Sequence, residues 1–351
     1  MNLKLKSYFC KKSALKKILI IRFSSIGDIV LTTPVIRCIK QQVPGSEVHF
    51  AVKKAFFPVV QANPYIDKIH ILENDLKGLT KRLKEEKFDY IVDLHQSLRS
   101  RVIRFLLGME SLGTPSHRTP SRGFPKINAR KWLLTRFKID IMPDVHIVDR
   151  YLKAASKLGI VNDGKGLDYF IPMEGEFDIN TLPEAFRDSY AAFVTGAKHA
   201  TKRLPEHKII SLCKKLDIPV ILLGGPEDAG MAEKIASECG SSVISMCGKL
   251  SLNQSASVIK QAKVVISHDT GLMHIAAAFR KKIVSIWGNT VPKFGMYPYM
   301  PGDEEKSAII EVKGLKCRPC SKLGYDHCPK GHFHCMEWID EERVKLAVDR
   351  I

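Results

Sequence analysis

At 351 residues, 45% hydrophobic and 26% charged, the chain is long enough for two α/β domains, each able to bury a core. No apolar run approaches the ~20 residues that a membrane-spanning helix needs. Five of the nine cysteines (Cys10, Cys38, Cys213, Cys239, Cys247) are scattered, as in a reducing compartment, and the net charge of +18 is uneven.

Residues 1–170 hold 31 Lys and Arg against 15 Asp and Glu, while residues 171–351 hold 24 against 22. The first half is therefore built to meet something anionic: nucleic acid, an acidic membrane surface or a phosphorylated substrate. The opening MNLKLKSYFCKKSALKK is basic but lacks the apolar core and small-residue cleavage site of a signal peptide. A cytoplasmic protein is the expectation.

Residues 17–22 (KILIIR) predict a strand, 24–28 (SSIGD) a turn, and the following residues a helix to about Gln42. The turn has one glycine and no GxGxxG, so it is a poor dinucleotide fingerprint. Asp28 stands at the helix start, where a carboxylate serves equally as a cap or as a catalytic group. Strands follow at 47–52, 68–72 and 89–94, with helices near 56–62 and 77–87. This alternation predicts a doubly wound parallel sheet with ligands beyond its carboxyl edge, where 24–28 and 95–99 (HQSLR) fall. Residues 101–138 carry nine Lys and Arg against one acid, Glu110. Rich in Pro and Gly, they read as a long loop with short helices outside the core. A helix over 145–158 and a Gly- and acid-rich linker over 162–180 complete a first domain of residues 1–170.

A second α/β series occupies 171–335, with a C-terminal helix over 336–351. Strands are predicted at 190–195, 219–223, 242–246, 262–266 and 283–287, and helices at 206–215, 231–239, 252–261 and 272–279. Two Rossmann-like domains facing across a cleft make the GT-B arrangement. Three loops converge at the second carboxyl edge. Lys202 and Arg203 suit phosphate, and Glu227 or Asp228 after a GG turn suits ribose hydroxyls. Asp269, Thr270 and Gly271 open the helix that follows, where Asp or Thr can cap the first turn and Gly lets a backbone or ligand approach. Unpaired N–H groups there favour a diphosphate, although an ordinary capped turn is the plainer reading of those residues alone. His274, one turn further, reads most simply as a packed histidine.

The tail holds Cys317, Cys320, Cys328 and Cys335, interleaved with His327, His332 and His334. The spacing suits a structural zinc held by four thiolates, or by three and an imidazole. Packed reduced thiols or two disulfides are the other readings.

Four stretches, SSIGDIVLTTPVIRCIKQQVPGSEVHFAVKK, DLHQSLRSR, TKRLP and SHDTGLMHIAAA, resemble the lipopolysaccharide heptosyltransferases, glycosyltransferase family 9, in family order. The resemblance implies a GT-B fold and inverting transfer from a sugar nucleotide, typically ADP-heptose, with no metal cofactor required. It makes Asp28 the general base and Lys202 a phosphate ligand, with Leu204 where the family usually has Trp. Thr270 and Gly271 become diphosphate-binding amides, Asp269 the shaper of their turn, and His274 its neighbour. Leu250 falls in the wall of the nucleobase pocket. The implied acceptor is a phosphorylated, lipid-linked saccharide on the anionic inner-membrane surface, with Arg99, Arg101, Arg118 and Arg122 as candidate contacts; Arg130 and Lys131 add to the same charge. The expected location is peripheral, on the cytoplasmic face. A nucleic-acid binder is the rival from another class, but Phe105, Phe124, Trp132 and Phe137 are too dispersed for base stacking. A sugar-nucleotide epimerase of GT-B fold is the third reading.

Overall fold

The computed structural model describes residues 16–109 and 119–351. Five parallel strands, β1 (Lys16–Ile21), β2 (Ser46–Lys53), β3 (Lys68–Leu72), β4 (Tyr90–Asp93) and β5 (Ser121–Gly123), form one sheet in the order β3-β2-β1-β4-β5. Six more, β6 (Ala191–Val194), β7 (Val220–Leu223), β8 (Val243–Ser245), β9 (Val264–His268), β10 (Lys282–Trp287) and β11 (Ser307–Glu311), form a second parallel sheet in the order β11-β10-β9-β6-β7-β8. Helices cover both faces of each sheet, so the central strands are apolar throughout and Ile18 to Ile21 have no exposed surface. The two sheets make the GT-B fold.

The predicted helix to Gln42 is two helices, α1 (Ile26–Val30) and α2 (Thr33–Gln42). Pro34 cannot donate into a continuous ladder and is accepted only in the first turn, so the chain restarts there. Next come α3 (Leu76–Glu85), α4 (Leu98–Met109), α5 (Asn128–Phe137) and α6 (Ile147–Ala155). The reading of 101–138 as a loop outside the core is corrected. The stretch supplies most of α4, the edge strand β5 and α5, with Ile103 and Leu107 buried one turn apart. Arginines on the outer face of α4 hid that apolar pair.

The second domain contributes α7 (Glu206–Lys215), α8 (Ala229–Cys239), α9 (Leu252–Gln261), α10 (Gly271–Ala278), the single turn α11 (His334–Glu337) and α12 (Glu341–Arg350). The predicted 162–180 linker is a packed strap. Buried Arg37 on α2 grips Asp163 at 2.7 and 2.8 Å and also pairs with Asp168, while Tyr169 donates to Asn253 on α9 at 2.6 Å. A second crossing lies near Gly295, whose carbonyl accepts from Ile147 N–H at 2.8 Å. Tyr297 and Tyr299 there pack on His146.

Candidate active site

Each sheet sends its ligand-facing helix from a central strand: α1 follows β1, and α10 follows β9. Their first turns meet. A Cβ on Gly27 would lie 2.6 Å from His274 Cδ2 and 3.3 Å from Gly271 Cα, and one on Gly271 would lie 2.8 Å from Ile26 Cβ. No side chain fits at either position, so both are glycine. The close approach expected at Gly271 is thus made by the other domain, through the Ile26 side chain and the Gly27 backbone.

Asp28 sits in the first turn of α1. Its carboxylate accepts from the Ser25 N–H at 3.3 Å and the Ser25 hydroxyl at 2.8 Å, and pairs with Arg22 at 2.7 Å. Burial opposes its ionisation, but the Arg22 guanidinium and Ser25 outweigh burial and hold the carboxyl below its ordinary range. Cap and charged group are therefore one residue. Arg22, at the end of β1, also donates to the carbonyls of Ser24 and Leu94 and to Tyr151 Oη. Sequence reading passed over it, although a charged residue ending a buried strand at the ligand edge was the available signal.

Across the junction, Lys202 Nζ lies 2.5 Å from Asp269 Oδ2, which also accepts from Thr290 Oγ1 at 2.9 Å. This differs from the expected cap. Asp269 is drawn to Lys202, and Thr270 makes no side-chain bond to the first turn of α10. The first turn of α10 therefore has no side-chain cap. His274 is buried, and desolvation pushes its imidazole down to about 4, so it faces Gly27 neutral.

Of the two ribose candidates, Asp228 is committed to the fold. It is buried, accepts from Gly225 N–H at 2.9 Å and pairs with Arg203 at 3.0 Å. Glu227 is exposed on the same edge. Leu250 is half-buried against the core, immediately before Ser251, which caps α9.

The basic residues divide. Lys131 on α5 lies over the Phe294 ring at 4.9 Å; burial and Arg150 push its amine down to about 8, against the pull of Asp28 and Asp269. It therefore belongs to the cleft and not to an outer face, a placement that no local pattern signals. Arg99 lines a pocket of about 460 Å³ with Lys53 and Lys54 at the carboxyl end of β2, two residues that sequence reading missed. Arg101 and Arg130 are exposed. Arg122 on β5 reaches Ser156 at 3.5 Å and is not among that pocket's walls. Arg118 lies outside the described residues.

The tail cysteines are thiols, and Cys335, the most buried, has its ionisation opposed by burial and then by Cys320. Cys317, Cys320 and Cys328 all act electrostatically on Cys335, so the four thiols share one neighbourhood, although no three of their sulfurs lie within 4.8 Å of one another. The tail also braces the Lys202 loop: Tyr325 N–H donates to Thr201 Oγ1 at 2.8 Å, and Thr201 N–H returns to the Tyr325 carbonyl at 3.1 Å.

Residues 77–324 match glycosyltransferase family 9 (heptosyltransferase). The chain is 24% identical over 331 residues to lipopolysaccharide heptosyltransferase 1 of Pseudomonas aeruginosa, spanning 87% of this chain and 86% of that one. In fold it is similar to the family 9 glycosyl transferase of Veillonella parvula, with a TM-score of 0.73 at 19% identity over 95% of this chain and 96% of that one. It is also similar to the Escherichia coli heptosyltransferase WaaC solved with ADP, with a TM-score of 0.65 at 20% identity over 95% and 99%.

Proposed function

The chain belongs to glycosyltransferase family 9, and on that footing we propose that it moves a heptose or related sugar, with inversion, from ADP-heptose to a phosphorylated inner-core saccharide of lipopolysaccharide. The observation that carries this reading is the junction of α1 and α10. It sets the Asp28 carboxylate of one domain against the Lys202–Asp269 pair and the uncapped helix end of the other. Inverting transfer is one in-line displacement. Asp28 takes the acceptor hydroxyl's proton as that oxygen attacks the anomeric carbon. The bond from that carbon to the diphosphate oxygen breaks, and the departing charge goes to Lys202 and the first N–H groups of α10. A diphosphate competes with Asp269 for Lys202. Glu227 is free to accept from ribose hydroxyls and Leu250 to cover the base. Adenine as that base is supported by the ADP in the WaaC structure.

ADP is expected to stabilise the protein by about 2.7 kcal/mol at 100 times its Kd, and UDP by less. Lys202→Ala should weaken ADP binding. Thermal unfolding over an ADP titration checks both, and an unweakened Lys202→Ala removes this lysine from the phosphate site.

We also propose that the acceptor domain rests on the anionic inner-membrane surface. Among the described residues no helix is long and apolar enough to cross a membrane. Helix α4 instead exposes Leu98 at 80% and Phe105 at 61%, beside Arg99 and Arg101. Apolar side chains flanked by arginines suit an interface with anionic lipid, each cation adding about 1 kcal/mol near the surface. Arg99, Lys53 and Lys54 then meet acceptor phosphates. Binding to anionic vesicles should fall steeply with salt. Replacing Arg99, Arg101, Arg122 and Arg130 together by Gln should lower vesicle binding and raise acceptor KM at unchanged ADP affinity. Lys131 is left intact because it faces the cleft. Unaltered vesicle binding and acceptor kinetics in that variant would overturn the proposal.

A further inference from the structure

On the opposite edge of the first sheet from Asp28, the core contains two histidines. His49 on β2 and His70 on β3 point to the helix face on which Leu72, Leu83 and Phe88 cluster. His49 is fully buried and His70 nearly so. Their rings stack with centroids 5.1 Å apart, and His49 Nδ1 lies 2.9 Å from His70 Nε2. Glu86, at the end of α3, brings Oε2 to 4.0 Å from His49 Nδ1. Behind His49, its other nitrogen meets Glu47 Oε1 at 2.8 Å.

We propose that His49, His70 and Glu86 form a divalent-cation site of the zinc class, with Glu47 orienting His49. They are the one trio of ligand-bearing side chains, among the described residues, whose donor atoms all lie within 4.8 Å of one another. Two imidazoles and a carboxylate are a zinc donor set that leaves a fourth position for water. Glu47 fixes the tautomer: by accepting from His49 Nε2–H, it leaves the Nδ1 lone pair facing His70. A carboxylate behind a ligating imidazole is the usual outer shell of such sites. In the metal-free protein the facing nitrogens share one proton. A cation takes that proton's place between the rings, and the displaced proton moves to His70 Nδ1, so both facing nitrogens offer lone pairs.

The competing charges are lysines. Lys68 pairs with Glu86, and Lys17 lies 3.2 Å from it. The Lys68 side chain is half exposed and can swing to solvent, and Lys17 has Glu47 as an alternative partner at 3.8 Å. A bound cation would tie β2 and the edge strand β3 to the end of α3, stiffening the acceptor domain without touching the catalytic cleft. The site is independent of which sugar is transferred.

The test is titration of the full-length, chelator-stripped protein with Co²⁺, followed by visible absorption. One equivalent should give the ligand-field bands of nitrogen and oxygen coordination without sulfur-to-cobalt charge transfer. A sulfur band would instead report the tail thiols. His70→Gln should abolish the signal, Glu47→Gln should weaken affinity about 10–100-fold, and Lys68→Met should strengthen it by removing the competitor. Only sulfur bands, or uptake unchanged in His70→Gln, would overturn the proposal. If His70→Gln does not fold, unchanged affinity in both Glu47→Gln and Lys68→Met overturns it equally.

Discussion

Asp28→Asn is expected to cut turnover by roughly 10²–10⁴-fold, the range for a lost general base, while ADP affinity stays within a few-fold of wild type. The asparagine keeps an oxygen for the Ser25 N–H and hydroxyl, so the first turn of α1 holds its shape. The capacity to take a proton is lost, and with it the counter-charge to Arg22. Asp28→Ala adds a further loss, that of the cap. Both variants strip a counter-charge from Arg22, whose side chain is only 9% exposed, and breaking a mostly buried pair from one side is costly; alanine also removes the acceptor for the Ser25 N–H and hydroxyl. Arg22 retains the carbonyls of Ser24 and Leu94 and the hydroxyl of Tyr151, which limits the damage. Alanine should therefore melt lower than asparagine at similarly low turnover. Because Arg22 and Ser25 hold the carboxyl below its ordinary range, the base stays ionised throughout the neutral region. Turnover rate, ADP binding and melting temperature of the two variants separate the roles. Near-normal turnover in Asp28→Asn would end the assignment of Asp28 as base.

Mild acid is expected to unfold the protein. Five imidazoles are held below the ordinary value of 6.5, in each case chiefly by burial: His70, His95, His268 and His274 to about 4, and His146 to about 3. In the unfolded chain each takes a proton near pH 6.5, which the folded site refuses. The unfolded state therefore binds more protons between those values, and stability falls with falling pH across that window. It is fully present above the unfolded value and lost on descent towards the folded one. By pH 5 each fully buried histidine gives up on the order of 2 kcal/mol, and the part-exposed His95 less. The sum is comparable with the whole stability of an ordinary domain, about 5–15 kcal/mol. Urea unfolding at pH 7.5 and pH 5 should show the loss, and His274→Gln, which leaves no proton to take up, should lessen the dependence. Equal urea midpoints at the two pH values would contradict the account.

Local chemistry made some of this legible. Helices over 206–215 and 252–261 were read at their observed bounds, because capping and apolar spacing act within one or two turns. The edge strands β5 and β11 were missed. Each is short, lies among polar or charged residues, and becomes a strand only because a neighbour offers an open edge. The strap over 162–180 reads as linker until Arg37 is placed beside it.

By itself the sequence determined the alternation of strands and helices, the two-domain plan and the family, since these rest on periodicity and contiguous motifs. It also placed Asp28, Lys202 and the Asp269–Gly271 turn at carboxyl edges, since a strand that runs into a helix start ends there. Only the tertiary structure decided which groups meet. Gly27 is glycine because Gly271 and His274 press against it, and Asp269 pairs with Lys202 when its own helix could have used it as a cap. Lys131, from a stretch that reads as surface, lies within the electrostatic reach of both Asp28 and Asp269. The physical reason is range: capping and periodicity act between near neighbours in the chain, whereas the charge and shape of this cleft arise from residues brought together only when the two sheets fold and dock.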